Sequence, residues 1–221
     1  MKKRGILIIH GFIGSPDEVS ILSNYLQEKG YLVSVPRLLG HGSDKDLLYK
    51  VKAADWIKEV EKAYLELADT CDSIFVIGFS MGGLLAAHLH DYGISGLVTV
   101  NTPVYYWNVK QMIYNLFSDY RNYSSKYLNS GKGKPLNAMI QFQKLLSLTK
   151  PIFSRLNCYS LVLQTADDDT VLPISSDYIF SKIKGKKRLV KIAEGGHQIF
   201  QSDSAQEACM IIERYFDDFI S

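Results

Sequence analysis

The sequence predicts an α/β fold built on a mostly parallel sheet of about six strands, and three observations carry that reading. Short apolar runs recur along the chain, stretches of helical period separate them, and the first of the runs is apolar without alternation, as a strand buried on both faces must be. Strands that alternate with helices imply right-handed crossovers, which cover both faces of such a sheet.

Taken in order, Ile6-Leu7-Ile8-Ile9 is the first buried strand, and it ends in His10-Gly11-Phe12-Ile13-Gly14. Ser15 followed by Glu18 has the spacing of a capping box, with Pro16 at the first helical position. The spacing of Val19, Leu22 and Leu26 predicts a helix over 16–29, stopped at Gly30. Tyr31 to Val35 reads as the second strand, closed by Pro36, and the loop Leu39-Gly40-His41-Gly42-Ser43 leads to a helix from about Asp55 to Asp69. Ile74 to Ile77 is the third strand. It enters Gly78-Phe79-Ser80-Met81-Gly82-Gly83 and emerges as the helical Leu84 to His90. Gly96 to Val100, Leu161 to Gln164 and Leu189 to Ile192 are the remaining strands, and a last helix spans about Ser204 to Phe219.

Residues 103–157 interrupt the alternation, since they hold helical patches (Val109–Phe117 and Asn137–Leu148) and no strand-like run. The segment reads as a small helical cap inserted into a core formed by 1–102 and 158–221. It carries Tyr105, Tyr106, Trp107, Tyr114, Phe117, Tyr120, Tyr123, Tyr127, Phe142 and Phe153, aromatics suited to lining an apolar pocket, although packing alone accounts for most of them. Eight basic residues against the single acid Asp119 give it a local charge of +7 in a chain of net charge +2. That balance describes a solvated face, with attraction to anionic substrates or an anionic membrane surface as the alternative.

The composition is that of a soluble globular protein, with 47% hydrophobic and 22% charged residues. A net charge of +2 without interleaved basic and aromatic residues excludes a dedicated nucleic-acid binder. Cys71, Cys158 and Cys209 are odd in number and widely spaced, as in a reduced, cytoplasmic protein. Met1-Lys2-Lys3-Arg4 imitates the start of a signal peptide, but the apolar run behind it is shorter than the roughly 7–15 residues such a peptide needs. No run approaches the roughly 20 apolar residues of a membrane span.

The chemistry centres on Ser80. A Gly-x-Ser-x-Gly pentapeptide arises by chance in on the order of one chain in ten of this length, but far more rarely between a β-branched run and a helix. In that setting the serine sits at the apex of a strand-to-helix turn, with the Met81 N–H at the helix N-terminus ready to meet an oxyanion. A serine needs a base, and the base an orienting acid. The acid is sought in Asp167-Asp168-Asp169, after the fifth strand, and the base in His197, after Gly195-Gly196 behind the sixth. The order Ser, Asp, His is the one expected of an elbow serine. His41, His88 and His90 fit less well, and no His-Glu-x-x-His or carboxylate cluster suggests a metal.

With His10-Gly11-Phe12, Gly40-His41-Gly42, Gly78-Phe79-Ser80-Met81-Gly82-Gly83, Asp168-x-x-Val171 and Gly195-Gly196-His197, the chain resembles the α/β-hydrolase superfamily. More narrowly, it looks like the small bacterial carboxylesterases related to monoacylglycerol lipases. The resemblance spans the chain but lacks the superfamily's two leading antiparallel strands. It implies Ser80 as nucleophile, His197 as base, Asp168 as the acid, and the Phe12 and Met81 amides as oxyanion hole. His10 reads as a structural brace of the oxyanion loop, and Tyr105, Trp107 and Ile199 are the candidate substrate contacts.

Those roles imply a carboxylesterase acting on small-molecule esters of short to medium acyl chain, without cofactor or metal, as a monomer or homodimer. A monoacylglycerol lipase, amidase, thioesterase or acyltransferase uses the same triad. Epoxide hydrolases and dehalogenases place Asp at the elbow, so Ser80 speaks against them. A ligand receptor that keeps the scaffold without turnover is the reading from outside catalysis.

Overall fold

The computed structural model describes residues 3–42, 45–48, 50–106 and 136–220. Six strands form one sheet: β1 (Arg4–Ile9), β2 (Leu32–Ser34), β3 (Ser73–Phe79), β4 (Gly96–Val100), β5 (Tyr159–Thr165) and β6 (Lys187–Ile192). Their order is β2-β1-β3-β4-β5-β6, and every neighbouring pair is parallel. The chain starts inside the sheet, steps out to β2, then crosses back over β1 to β3. Such a reversal opens a crevice at the C-terminal ends of the two strands flanking it, here β1 and β3.

The four inner strands, β1, β3, β4 and β5, are legible as largely apolar runs because helices cover both faces. Within each run the side chains still alternate. Leu7, Ile9, Val76, Leu97 and Val162 join one core layer with Trp56, Val60, Leu84, Leu85, Leu145 and Phe153. Ile6, Ile8, Phe75, Ile77, Val98, Val100, Leu161 and Leu163 join the other with Leu22, Leu26, Ile212 and Phe216. The first layer lies under α3 (Ala53–Ala68), α4 (Met81–Ala87), α5 (Leu136–Thr149) and α6 (Ile174–Lys182), the second under α1 (Ser20–Glu28) and α7 (Ala205–Ile220). Fully burying such a side chain contributes roughly 1.5–3 kcal/mol, so both layers anchor the strand ends.

Three local departures from the sequence expectations have physical reasons. The predicted helix over 16–29 opens as a 3₁₀ turn, Pro16–Val19, before α1. The capping box is only half formed. Ser15 Oγ accepts from the Asp17 N–H, but the Glu18 side chain leaves the helix and accepts the Gly11 N–H at 3.1 Å, a tertiary partner the local pattern does not contain. Between the Gly40-His41-Gly42 loop and α3 a short helix, α2 (Lys45–Leu48), forms. Of the expected cap, Val109–Phe117 and residues 107–135 generally lie outside the described residues. Asn137–Leu148 falls within α5, whose Phe142 and Leu145 pack into the same core layer as α3 and α4.

Candidate active site

The segments at the C-terminal edge of the sheet converge on Ser80. Ser80 follows β3 directly and holds φ 51°, ψ −121°, a left-handed conformation that L-residues avoid. The surroundings over-determine it. Its N–H donates to Val100 O at 2.8 Å, and its carbonyl accepts the Gly83 N–H at 3.0 Å. The flanking glycines are needed for backbone approach: a Cβ on Gly78 would lie 2.3 Å from Gly82 O, and one on Gly82 would lie 2.1 Å from Ile9 O. Any side chain there would force β1, β3 and α4 apart.

Ser80, His197 and Asp168 lie in series. His197 Nε2 is 3.0 Å from Ser80 Oγ, and Nδ1 is 2.9 Å from Asp168 Oδ2 and 3.2 Å from Oδ1. Asp168 Oδ1 also accepts the N–H groups of Thr170 at 2.9 Å and Val171 at 2.7 Å, and Oδ2 accepts Gln164 Nε2 at 3.2 Å. A carboxylate that takes so many donors acts as an acceptor toward Nδ1, so the imidazole proton sits on Nδ1. Nε2 is then left to accept from the serine hydroxyl. All three residues are buried, and Phe79 packs 5.5 Å from the His197 ring, centroid to centroid. An arrangement of this kind moves a proton off a hydroxyl and holds the resulting charge away from water.

The three aspartates separate by partner. Asp167 turns back to the histidine loop, where its carboxylate accepts the N–H groups of Gly195 at 3.1 Å and Gly196 at 2.9 Å. Asp169 accepts the Thr170 hydroxyl at 3.0 Å. Asp168 is the one in contact with the His197 ring.

Two residues that the sequence reading passed over support the histidine loop. Asn101, at φ 47°, donates through Nδ2 to Gly196 O at 3.1 Å and His197 O at 2.9 Å, while Oδ1 accepts the Thr165 N–H at 2.9 Å. The Thr165 hydroxyl donates to Gly196 O at 2.7 Å. One fully buried amide thus joins the ends of β4 and β5 to the loop after β6. The available signal was its position, a polar residue directly behind the apolar strand Gly96–Val100.

On the other side of Ser80, the loop after β1 carries Phe12. His10 Nδ1 lies 2.9 Å from Gly11 O and must donate to it, and Nε2 accepts the Leu38 N–H at 3.2 Å. Both ring nitrogens are engaged as in the neutral imidazole. Burial, then the neighbouring His41, pushes the His10 pKa down to about 3. Burial likewise lowers His41 to about 4. Ile13 holds φ 64°, a costly conformation for a β-branched residue. The Phe12 ring is buried against Phe142 at 5.1 Å and against Trp56 and His41 at 6.1 Å. Met81 is the first residue of α4, where an N–H has no acceptor within the helix.

The expected substrate contacts fall in different places. Tyr105 is on the surface, its backbone tied to Leu172 and Ser175 and its ring edge-on to Tyr178. Ile199 is wholly buried in the core layer beneath α7, beside Ile192 and Phe200. Trp107 lies outside the described residues. Among the described residues no group of three or more His, Cys, Asp or Glu side chains is placed to hold a metal ion, and no helix is long and apolar enough to cross a membrane.

Comparison with known proteins extends this picture. Residues 6–115 match the family described as alpha/beta hydrolase fold. A thermostable monoacylglycerol lipase from Bacillus sp. (strain H-257) is 30% identical over 227 residues, covering 97% of this chain and 90% of the relative. A carboxylesterase from Bacillus subtilis (strain 168) is 26% identical over 209 residues, covering 89% and 85%. Among solved structures, one reported with the metagenome-derived lipolytic enzymes LipS and LipT has TM-score 0.81 at 22% identity, covering 99% of this chain and 94% of that one. At that identity the likeness speaks for the fold.

Proposed function

The chain belongs to the α/β-hydrolase superfamily, and from that premise we propose that it is a serine carboxylesterase acting on esters of short to medium acyl chain through an acyl-enzyme. The single observation that carries the reading is the Ser80 Oγ to His197 Nε2 contact at 3.0 Å, continued through Nδ1 to Asp168. In this reading 1–102 and 158–221 form the hydrolase core and 103–157 its cap. The three cysteines, all free thiols, go with a reducing, cytoplasmic setting.

In the proposed steps, Ser80 Oγ bonds to the ester carbonyl carbon as its proton passes to His197 Nε2, and the carbonyl π pair moves onto oxygen. The Phe12 and Met81 amides receive that oxyanion, each donor contributing roughly 2.7–4 kcal/mol. Asp168 stabilises the imidazolium and stays ionised. Collapse expels the alcohol, which takes the proton from Nε2. Water, deprotonated by the same nitrogen, then releases the acid and restores Ser80.

A monoacylglycerol lipase is the second reading, favoured by the Bacillus relative that matches nearly the whole chain. The test is hydrolysis of p-nitrophenyl acyl esters from short to long, and of monoacylglycerols, by wild type and Ser80→Ala. Turnover by wild type, with a fall of at least ~10⁴-fold in the variant, is the expected result. A preference for monoacylglycerols favours the lipase reading. Absence of Ser80-dependent turnover on every ester overturns both readings and leaves thioesterase, acyltransferase or ligand-receptor roles.

A further inference from the structure

Glu18 is a carboxylate at this edge that the proposed mechanism does not use. Its head reaches out of the 3₁₀ turn in two directions: Oε2 accepts the Gly11 N–H at 3.1 Å, and Oε1 accepts Gln198 Nε2 at 3.2 Å. Gly11 immediately precedes Phe12, and Gln198 immediately follows His197. One side chain therefore connects the loop after β1 with the loop after β6.

The head also fills space that a side chain on residue 14 would need. A Cβ on Gly14 would lie 1.9 Å from Glu18 Oε2, and the three nearest atoms all belong to that carboxylate. The Gly14 backbone is outside the left-handed region, so the Glu18 head, rather than backbone strain, is what alanine there meets first. Burial holds the Glu18 carboxyl above the usual carboxylate range.

The peptide between Gly11 and Phe12 is planar and trans, so its N–H points opposite its C=O. His10 Nδ1–H fixes that C=O, and Glu18 fixes the N–H on the other side of Gly11. The direction of the Phe12 N–H is thus set from both flanks. We propose that Glu18 is a positioning residue that aims the Phe12 amide at the oxyanion and holds it in register with the His197 loop. The proposal rests on the serine esterase reading above.

The experiment measures kcat and KM on the p-nitrophenyl ester that wild type cleaves best, together with inhibition by an alkyl boronic acid, which forms a tetrahedral adduct on a serine. Ser80→Ala establishes Ser80-dependent turnover first; without that turnover the esterase reading fails and this proposal with it. Glu18→Ala and Gly14→Ala, which deletes or displaces the same head, each lower kcat by on the order of 10- to 100-fold with KM changed by less than about threefold. The boronic acid weakens in proportion to kcat/KM, and the double variant is no worse than Glu18→Ala alone. Glu18→Gln restores most of kcat: its amide oxygen accepts the Gly11 N–H, and Gln198 can turn its own amide over. Gln198 Oε1, buried without a partner among the described residues, then meets the new N–H group. With Ser80-dependent turnover established, a wild-type kcat in folded Glu18→Ala, a loss confined to KM, or a Glu18→Gln as impaired as Glu18→Ala overturns the proposal.

Discussion

The two edges of the sheet differ in which residues carry left-handed backbone. At the N-terminal edge, positive φ belongs to glycines in open space, Gly30 at 86° and Gly93 at 70°, where a Cβ would meet nothing within 4 Å. At the C-terminal edge glycines take it as well, Gly40, Gly42, Gly195 and Gly196, but three non-glycine residues accept it beside them: Ile13, Ser80 and Asn101. Each such residue costs on the order of 1–3 kcal/mol and persists only where its neighbours over-determine it. Ser80 and Asn101 are held by hydrogen bonds from other strands, and both supply a side chain that glycine lacks. Non-glycine strain is found at the edge where Ser80 and Asn101 supply side chains, and the other left-handed positions at both edges are glycines.

The largest expected break in this contrast is Asp168→Asn. It preserves the shape of the site but no longer offers a carboxylate to Nδ1, so kcat on p-nitrophenyl esters should fall by ~10⁴-fold while the folded spectrum is unchanged. A set of wild-type activities would remove the asymmetry in function between the edges.

A smaller effect follows from the buried imidazoles. His10 and His41 at the C-terminal edge, and His88, are held neutral with pKa values of about 3, 4 and 4 against an ordinary 6.5. Below 6.5 the unfolded chain takes up protons that the native one refuses. Their stabilisation is therefore complete above about pH 6.5 and is lost as pH falls toward 4 and 3. Glu18, raised by burial, acts in the opposite sense, stabilising most at low pH. Thermal unfolding from pH 7 to pH 4 should show Tm dropping, with a shallower slope in His41→Gln. An unchanged slope in that variant would remove His41 from the account.

The smallest effects compare the edges directly. Ser80→Gly abolishes turnover but relieves the elbow, and should raise stability by about 1 kcal/mol, about 2–4 °C in Tm. Gly30→Ala, at the other edge, should lower stability by about 1 kcal/mol and leave esterase kcat unchanged. Denaturant melts of the two variants decide the matter: shifts of the same sign would end the distinction between the edges.

How much of this was legible follows from range. The inner strands could be read because burial on both faces writes them as apolar runs, and Ser80 because glycine spacing and strand-helix context are local. Asp168 and His197 were reachable through chain order and resemblance, and the structure brings them within hydrogen-bond distance of one another. Glu18 was assigned to a local cap because the spacing fitted one, while its partners lie 7 and 180 positions away. Asn101 carried no motif, since its task is to join three strand ends. Position next to the histidine loop likewise could not tell that Ile199 faces the core.

Among the described residues the sheet has two margins, β2 and β6, and each is blunted differently. β2 offers three residues, too few for a firm ladder, while β6 presents Lys187, Arg188 and Lys191 along Lys187–Ile192. Short or cationic margins disfavour addition of a strand from another copy. Crowding at high concentration or during synthesis therefore does not readily turn this sheet into a template for fibrous aggregation.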